Sequence, residues 1–244
     1  MAKRRSDPHR HAPAGIVSPV RHDDIARDSE GLRRLYAHRF DQEAEQRTEL
    51  WRTLCSSYFQ RWVPRDAVVL DLAAGHCEFV NNIVAQRRIA VDLNPAVQDH
   101  AGAGVEAHVG RSTNLNMLGD ATIDRVFISN FFEHITRDDI LATLEEARRV
   151  LRPDGKLLVL QPNIRYCARD YWMFFDHITP VDDRALVEAF AATGFRVELN
   201  HPRFLPYTTK SRLPSSDALV RLYLRSPWAW RLLGAQAFMV GVPA

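Results

Sequence analysis

The sequence predicts an α/β fold with a mainly parallel, doubly wound sheet that has helices on both faces. Short apolar runs typical of buried strands alternate with segments of helical periodicity, which is the pattern of repeated strand–helix–strand units. The seven predicted strands lie near residues 67–71, 88–92, 105–109, 124–129, 156–161, 194–199 and 236–242. Residues 77–86 are predicted as the helix after the first strand, residues 137–150 as the helix after the fourth strand, and Pro153-Asp154-Gly155 as the turn before the fifth strand.

Composition is that of an ordinary globular protein with one main domain. The chain has 244 residues, of which 46% are hydrophobic and 25% charged. Its net charge of +2 gives no field that favours a nucleic acid partner. No apolar run is long enough for a transmembrane helix, so we expect no stable membrane insertion.

Three scattered cysteines, Cys55, Cys77 and Cys167, have neither a zinc-ligand spacing nor the even number of a disulfide framework. We therefore expect a reducing, cytoplasmic location and no metal ion. The start of the chain is basic but lacks the apolar stretch of a signal peptide.

The predicted organisation is a disordered arm followed by a single domain over residues 25–244. The arm is rich in Arg, His and Pro and lacks apolar periodicity. In order, the segments are the arm at 1–24, N-terminal helices at 25–63, a cofactor-binding core at 64–199, a substrate-side insertion at 200–235 and the last strand at 236–244.

The turn after the first strand has the composition of a nucleoside-cofactor site. The strand ends on Asp71, and the small residues after it, Ala73 and Gly75, let a ligand approach the backbone. A second carboxylate, Asp92, ends the next strand about 20 positions later, the separation at which such a unit reaches a ribose. We expect the turn to form with neither Ala73 nor Cys77 at positive φ.

These residues resemble the first motif of class I S-adenosylmethionine-dependent methyltransferases of the small-molecule type. Residues 71–77 read Asp-Leu-Ala-Ala-Gly-His-Cys, where the family has Asp-x-Gly-x-Gly. Asp92, residues 124–134 and residues 150–160 follow in the family's order and spacing. The resemblance covers about residues 45–200. It implies a Rossmann-like, seven-stranded sheet with an antiparallel last strand, and S-adenosyl-L-methionine as cofactor.

The resemblance also implies how the cofactor is held. Asp92 would accept hydrogen bonds from the ribose, the backbone at Ala73 and Gly75 would line the amino acid part, and Leu93 would pack on the adenine. The acidic residue that often meets the adenine amino group is absent, and the corresponding stretch contains Ser112, Thr113 and Asn114, among which the sequence does not choose. The implied cofactor-binding set is Asp71, Ala73, Gly75, Asp92, Leu93, Ser112, Thr113 and Asn130.

Two histidines are the candidate catalytic residues. His134 follows the fourth strand, at the sheet edge where ligands bind in doubly wound folds, and it is either a general base, an orienting group or a histidine bonded to backbone. Its neighbour Glu133 is predicted to be a helix-start carboxylate. His177 either faces substrate or braces its loop, and Thr179 and Pro180, which follow it after Ile178, have the composition of a helix start.

Acceptor binding is predicted downstream of the fifth strand. Tyr166 belongs to an aromatic segment, and Arg203 and Lys210 lie in the insertion among hydroxyl-bearing residues suited to a phosphate or carboxylate. Residues 218–233 combine an apolar face with aromatic and basic residues, as interfacial helices do, and packing on the sheet edge is the alternative. We therefore predict a small-molecule or lipid- or glycan-linked acceptor and leave peripheral membrane association open.

The sequence thus predicts an S-adenosylmethionine-dependent methyltransferase that transfers a methyl group by in-line displacement. The alternative is a non-catalytic methyltransferase-like protein that binds S-adenosylmethionine or acts as a scaffold. A nicotinamide dehydrogenase is disfavoured because no Gly-x-Gly-x-x-Gly follows the first strand and Glu78 would repel a pyrophosphate.

Overall fold

The structure is a computed structural model that describes residues 44–207 and 216–244. The predicted arm at 1–24, the first of the two predicted N-terminal helices and Lys210 lie outside the described residues.

Seven strands and eight α-helices make up the described part of the chain. In chain order these are α1 (Ala44–Ser57), β1 (Val68–Leu72), α2 (Glu78–Asn82), β2 (Arg87–Asp92), α3 (Val97–His100), β3 (Val105–Val109), β4 (Ile123–Ser129), α4 (Arg137–Val150), β5 (Leu151–Pro162), α5 (Ile164–Tyr171), α6 (Asp183–Ala192), β6 (Phe195–Leu205), α7 (Asp217–Leu224), α8 (Pro227–Leu233) and β7 (Gln236–Pro243). Short 3-10 helices cover Phe59–Trp62 and Phe132–His134. None of the described helices is long and apolar enough to cross a bilayer.

The strands form one sheet in the order β3-β2-β1-β4-β5-β7-β6. Along this order, neighbouring strands from β3 through β2, β1 and β4 to β5 are parallel. Strand β7 runs antiparallel to both of its neighbours, β5 and β6. The predicted fold, including the antiparallel last strand, is confirmed. The chain winds outward in opposite directions from β1 and β4, so the carboxyl ends of these two strands form the switch point where ligands bind.

Alternating side chains on the central strands build a hydrophobic core on each face of the sheet. Leu70 and Leu72 of β1 point to the core covered by α4 and α6, and Val69 points to the opposite core covered by α1. This two-residue alternation buries both faces and explains why the strands read as nearly continuous apolar runs.

An aromatic cluster joins α1 to the sheet. Phe59 is fully buried, and its ring lies 5.3 Å from Phe127 of β4, 5.5 Å from Phe238 of β7 and 6.1 Å from Phe79 of α2. The 3-10 helix that contains Phe59 is therefore part of the core that supports the loops at the switch point.

Four local predictions need correction. The helix after the first turn was expected at about residues 77–86, but α2 ends at Asn82 because the side chain of Gln60 binds the backbone of Val84. Pro153–Gly155 does not precede β5 but forms a bulge within it, since residues 152–155 of β5 lie opposite the single residue Asp124 of β4.

The other two corrections concern later elements. Strand β6 continues to Leu205, so the first residues of the predicted 200–235 insertion pair with β7 instead. Helix α6 begins at Asp183, where Asp182 accepts the backbone N–H groups of Arg184 and Ala185, and not at Thr179-Pro180. Thr179 donates its hydroxyl to the carbonyl of Ile135.

Candidate active site

The loop after β1 turns through three left-handed residues. Ala73, Gly75 and Cys77 have φ values of 58°, 52° and 59°. The expectation that neither Ala73 nor Cys77 needs a positive φ is therefore wrong. The loop tolerates this strain because its backbone is anchored: Ala74 N–H donates to Val91 O at 3.1 Å, and Cys77 N–H donates to Ala74 O at 2.8 Å.

Replacing Ala73 with glycine is expected to raise the free energy of unfolding by up to about 1 kcal/mol. Relief of a left-handed alanine is worth about 1–2 kcal/mol, and the greater freedom of glycine in the unfolded chain offsets part of it. Urea denaturation of wild type and variant measures the difference. The matched control is Ala74→Gly, where φ is not positive and a loss of about 0.5–1 kcal/mol is expected. Equal destabilisation by both substitutions would contradict the strain argument.

Asp92 connects the first loop to the second. One carboxylate oxygen accepts the N–H of Gly75 at 2.8 Å and the other accepts the N–H of Asn94 at 2.7 Å. The side chain is buried, and burial raises the pKa of its carboxyl although the backbone N–H groups of Asn94, Gly75 and Leu93 act to lower it. Asp92 thus connects the carboxyl ends of β1 and β2, and with three backbone donors around it the carboxylate can still accept a further hydrogen bond from a ligand.

Asp71 of β1 is hydrogen-bonded to the helix that follows the first loop. Its carboxylate accepts the N–H of Val80 in α2 at 3.1 Å and is 3% exposed. Burial raises the pKa of this carboxyl well above its ordinary value. The described contacts of Asp71 hold α2 against β1, although the sequence predicted a cofactor contact.

The raised pKa of Asp71 predicts a loss of stability as pH rises. The unfolded chain releases the proton of this carboxyl near pH 4, whereas the folded protein retains it to a higher pH. Below pH 4 the carboxyl therefore makes its full contribution to the free energy of unfolding. Above pH 4 that contribution falls by up to about 1.4 kcal/mol per pH unit until the pKa of the folded state is reached. The variant Asp71→Asn has no carboxyl at this position, so it lacks this pH-dependent contribution to the free energy of unfolding. Urea denaturation between pH 5 and 8 should therefore show wild type losing stability relative to Asp71→Asn with rising pH. A difference that does not change with pH would refute this assignment.

The remaining residues predicted for the cofactor have varied environments. The hydroxyl of Ser112 shares a 2.8 Å hydrogen bond with that of Thr143 on α4, which connects its loop to the helix. Leu93 and Thr113 are half-buried. Asn130 is exposed at the carboxyl end of β4 with a φ of 47°, and its N–H donates to Leu160 O.

His134 lies next to two carboxylates beyond the end of β4. Its Nδ1 is 3.1 Å from a carboxylate oxygen of Asp176, and its Nε2 is 3.7 Å from Oε1 of Glu133. Burial lowers the pKa of the imidazole, but the attraction of Glu133 and Asp176 outweighs it and leaves the pKa raised. Its neighbours Glu133 and Asp176 therefore favour the imidazolium form of His134.

Glu133 lies in the first turn of the short 3-10 helix Phe132–His134 and not at the start of α4. Helix α4 begins after Thr136, which caps it, and Glu133 lies one turn earlier with 1% of its surface exposed. Its Oε2 accepts a 2.7 Å hydrogen bond from Gln161 of β5, and burial raises the pKa of its carboxyl.

His177 joins this group from the loop after α5. Its ring centroid is 4.8 Å from that of His134, and it stacks on Phe174 at 5.0 Å. The loop is held against Glu133, whose backbone carbonyl accepts the N–H groups of Ile178 and Thr179. The two candidate histidines, about 40 positions apart, are thus brought together.

Tyr166 and Arg203 also meet, but at a different place. The Arg203 guanidinium lies 4.7 Å from the Tyr166 ring centroid and donates to the carbonyls of Gly234 and Leu232 at the end of α8. Both line a cavity of about 620 Å³ whose lining contains neither candidate histidine. The described contacts of Arg203 are those of a helix C-cap.

Three residues that contact the His134–His177 pair or its neighbours were not predicted from the sequence as site residues. In the sequence, Asp176 falls between predicted elements, Glu133 is predicted at a helix start, and Gln161 is the last residue of the predicted fifth strand. A usable signal existed for Gln161 and Glu133, because polar residues at the carboxyl ends of adjacent parallel strands lie at the same sheet edge. No spacing rule indicated Asp176.

Comparison with known proteins defines the class. Residues 70–159 match the family model described as a methyltransferase domain. A search of curated protein sequences gives no match.

Solved structures of methyltransferases share the fold. An S-adenosylmethionine-dependent methyltransferase from Archaeoglobus fulgidus matches at TM-score 0.62 and 20% identity, over 83% of this chain and 97% of that one. The 1,6-didemethyltoxoflavin-N1-methyltransferase of Burkholderia thailandensis, solved with S-adenosylhomocysteine, matches at 0.56 and 16%, over 96% and 93%. Geranyl diphosphate C-methyltransferase from Streptomyces coelicolor, solved with Mg²⁺, geranyl diphosphate and S-adenosyl-L-homocysteine, matches at 0.53 and 13%, over 78% and 77%.

The fold and the site define a class I, Rossmann-like methyltransferase domain. The resemblance inferred from residues 71–77 and Asp92 is therefore confirmed: residues 70–159 match a methyltransferase domain, and the whole sheet has the fold of solved class I methyltransferases. S-adenosyl-L-methionine is the cofactor of this class of domain.

Proposed function

We propose that the protein is an active S-adenosylmethionine-dependent methyltransferase whose acceptor is a small molecule, free or linked to a lipid or glycan. The observation that carries the proposal is the bridge from Asp92 to Gly75 and Asn94, which joins the two loops at the switch point of a methyltransferase domain. An acidic side chain anchored by backbone donors on both sides is pre-organised to accept the ribose hydroxyls.

The reaction is an in-line displacement at the methyl carbon. A lone pair of the acceptor atom forms the new bond to carbon, and the electrons of the broken C–S bond go to sulfur, which leaves as neutral S-adenosylhomocysteine. The acceptor releases its proton to water or to a side chain. The sulfonium supplies the reactivity, so the protein's task is to orient the two partners and exclude water.

We place the acceptor's polar group beside His134 and His177. Both histidines lie past the carboxyl ends of β4 and β5, and β4 pairs directly with β1, whose carboxyl end leads into the proposed cofactor loop. The raised pKa of His134 supports an orienting role over that of a general base, because an imidazolium cannot accept a proton.

Calorimetric titration of the full chain with S-adenosylmethionine and S-adenosylhomocysteine tests the cofactor. Saturable binding of both at one site per chain is the expected result, with NAD⁺ and ATP giving no heat. Transfer of label from methyl-labelled S-adenosylmethionine to a panel of small hydroxyl, amine and lipid-linked acceptors then tests catalysis. Absence of heat from both sulfur ligands would overturn the proposal, whereas binding with no transfer to any acceptor would favour the non-catalytic alternative.

The lipid-linked form of the acceptor has its own support on α7 and α8. Trp228 and Leu232 are 69% and 68% exposed, while Trp230 of the same helix is buried against the sheet. The exposed arginines Arg225 and Arg231 flank this apolar face. Such a surface has the chemistry of an anionic bilayer contact.

Co-sedimentation with anionic phosphatidylglycerol vesicles is expected for the full chain at low salt, and neutral phosphatidylcholine vesicles should bind far less. The double variant Trp228→Ala/Leu232→Ala should lose most of the bound fraction. Val187→Ala, at an exposed apolar position on α6, is the control that should keep it. Equal sedimentation of all three proteins would remove the lipid-linked form from the proposal.

A further inference from the structure

We propose that Glu133, His134 and His177 bind a divalent transition-metal cation. Each offers one ligand atom, and these three atoms all lie within 4.8 Å of one another. The inference deepens the proposed function and rests on it for the position of the acceptor, which we place at the same histidines.

The ligand set selects the class of ion. Two imidazoles and one carboxylate suit Zn²⁺, Mn²⁺, Fe²⁺ or Co²⁺, and leave open positions for water or substrate. Mg²⁺ and Ca²⁺ prefer oxygen ligands alone, so they fit this group less well.

The spacing of one pair of ligand atoms is close to the spacing around a bound ion. Nε2 of His134 is 3.7 Å from Oε1 of Glu133, beyond the range of a charge-assisted hydrogen bond. Two ligands bound tetrahedrally at about 2.1 Å from one ion are separated by about 3.4 Å. A side-chain movement of a few tenths of an ångström therefore brings this pair to coordination distance.

Outer-shell contacts orient two of the three ligands. Asp176 lies 3.1 Å from Nδ1 of His134, so Nε2 is the ring nitrogen that faces Glu133, and its lone pair becomes available when an ion displaces the imidazolium proton. Gln161 donates to Oε2 of Glu133 at 2.7 Å and leaves Oε1 facing the histidine. A carboxylate behind a ligating histidine is the arrangement that fixes its tautomer in metal sites.

Charge in this buried group favours a cation. Glu133 is 1% exposed, and within residues 44–207 and 216–244 no arginine or lysine forms an ion pair with it. Its described ionic partner is the imidazole of His134, and a divalent ion bound to both side chains would supply more positive charge there than the imidazolium does.

The site also has a fixed framework. The carbonyl of Glu133 accepts the N–H groups of Ile178 and Thr179, so the loop carrying His177 is attached to the residue that supplies the carboxylate. Phe174 stacks on the His177 ring and limits its rotation. Ligands from two distant segments are thus held at one place without the ion.

The ion would bind a hydroxyl or carboxylate oxygen of the acceptor. Coordination lowers the pKa of a hydroxyl, so that its proton passes to water and the resulting oxygen anion attacks the methyl carbon. The acceptor class that fits is therefore an oxygen nucleophile, or a molecule anchored through an oxygen beside its nucleophile.

Calorimetric titration of the metal-stripped full chain with Zn²⁺ tests the site. We expect one binding event that Glu133→Gln and His177→Ala each weaken at least tenfold. Substitution by Co²⁺ should give visible absorption bands of a nitrogen-ligated ion, lost in the same variants. The control is Glu106→Gln/His108→Ala on the edge strand β3, which removes a carboxylate and an imidazole elsewhere and should leave the event unchanged.

Near-ultraviolet circular dichroism of each variant establishes that it is folded. A further variant, Asp176→Asn, leaves all three proposed metal ligands in place. It should weaken Zn²⁺ binding by about 10–100-fold through the orientation of His134. Equal Zn²⁺ binding by wild type, Glu133→Gln and His177→Ala overturns the inference. Titration of the same samples with S-adenosylhomocysteine separates the two proposals: cofactor binding without site-dependent Zn²⁺ binding overturns only the metal site, and the reverse overturns only the proposed function.

Discussion

Replacing Phe59 with alanine is expected to lower the free energy of unfolding by about 3–5 kcal/mol, the range for deletion of a fully buried aromatic ring. Phe59 is 0% exposed and contacts aromatic rings from α2, β4 and β7, so no single neighbour can move to fill the space. Such a loss is comparable with the whole stability of many domains. Urea denaturation followed by circular dichroism measures it.

The matched control is the same substitution at Phe175, which is 97% exposed. It should change the free energy of unfolding by less than about 0.5 kcal/mol. A cost below about 1.5 kcal/mol for Phe59→Ala would mean that the cluster repacks and that the 3-10 helix contributes little to the core.

The strands could be predicted from sequence because each is a short β-branched or leucine-rich run with a polar boundary. Val68–Leu72 and Val105–Val109 agree with their predicted ranges to within one residue. Helix α4 was predicted at its observed bounds, because Thr136 and the acidic residues after it mark its start. Local propensity and tertiary structure agree in these elements.

Elements fixed by distant contacts could not be predicted. Helix α2 ends early because of Gln60, a residue that precedes β1. Strand β6 extends to Leu205 because β7 provides a partner as far as Gln236. Neither contact has a sequence signature within the element itself.

The same distinction applies to the site. Asp92 was identified from its position at the end of the second strand, a local feature shared by the methyltransferase class. Pairing of His134 with Asp176 depends on how the loop after α5 folds back over β4, which no periodicity describes. Left-handed Ala73 and Cys77 are also set by tertiary anchoring, since intrinsic preference opposes them.

Asp92→Ala is expected to weaken binding of S-adenosylhomocysteine at least tenfold. The carboxylate holds the N–H of Gly75 and that of Asn94, so its removal releases both loops as well as the proposed ribose contact. Loss of one hydrogen bond to a charged group costs about 1.5–3 kcal/mol, which corresponds to a factor of about 10–150 in the dissociation constant.

Calorimetry on three variants tests whether the Asp92 carboxylate acts by holding the two loops and by contacting the ribose. Asp92→Asn keeps one acceptor oxygen and should bind more tightly than Asp92→Ala. Asp99→Ala removes an exposed carboxylate on α3, close in sequence, and should leave the dissociation constant unchanged because no described backbone donor depends on it. A cofactor at the carboxyl ends of β1 and β2 must contact the loop that the Asp92 carboxylate holds in place. If folded Asp92→Ala binds S-adenosylhomocysteine as tightly as wild type, the ligand therefore lies elsewhere.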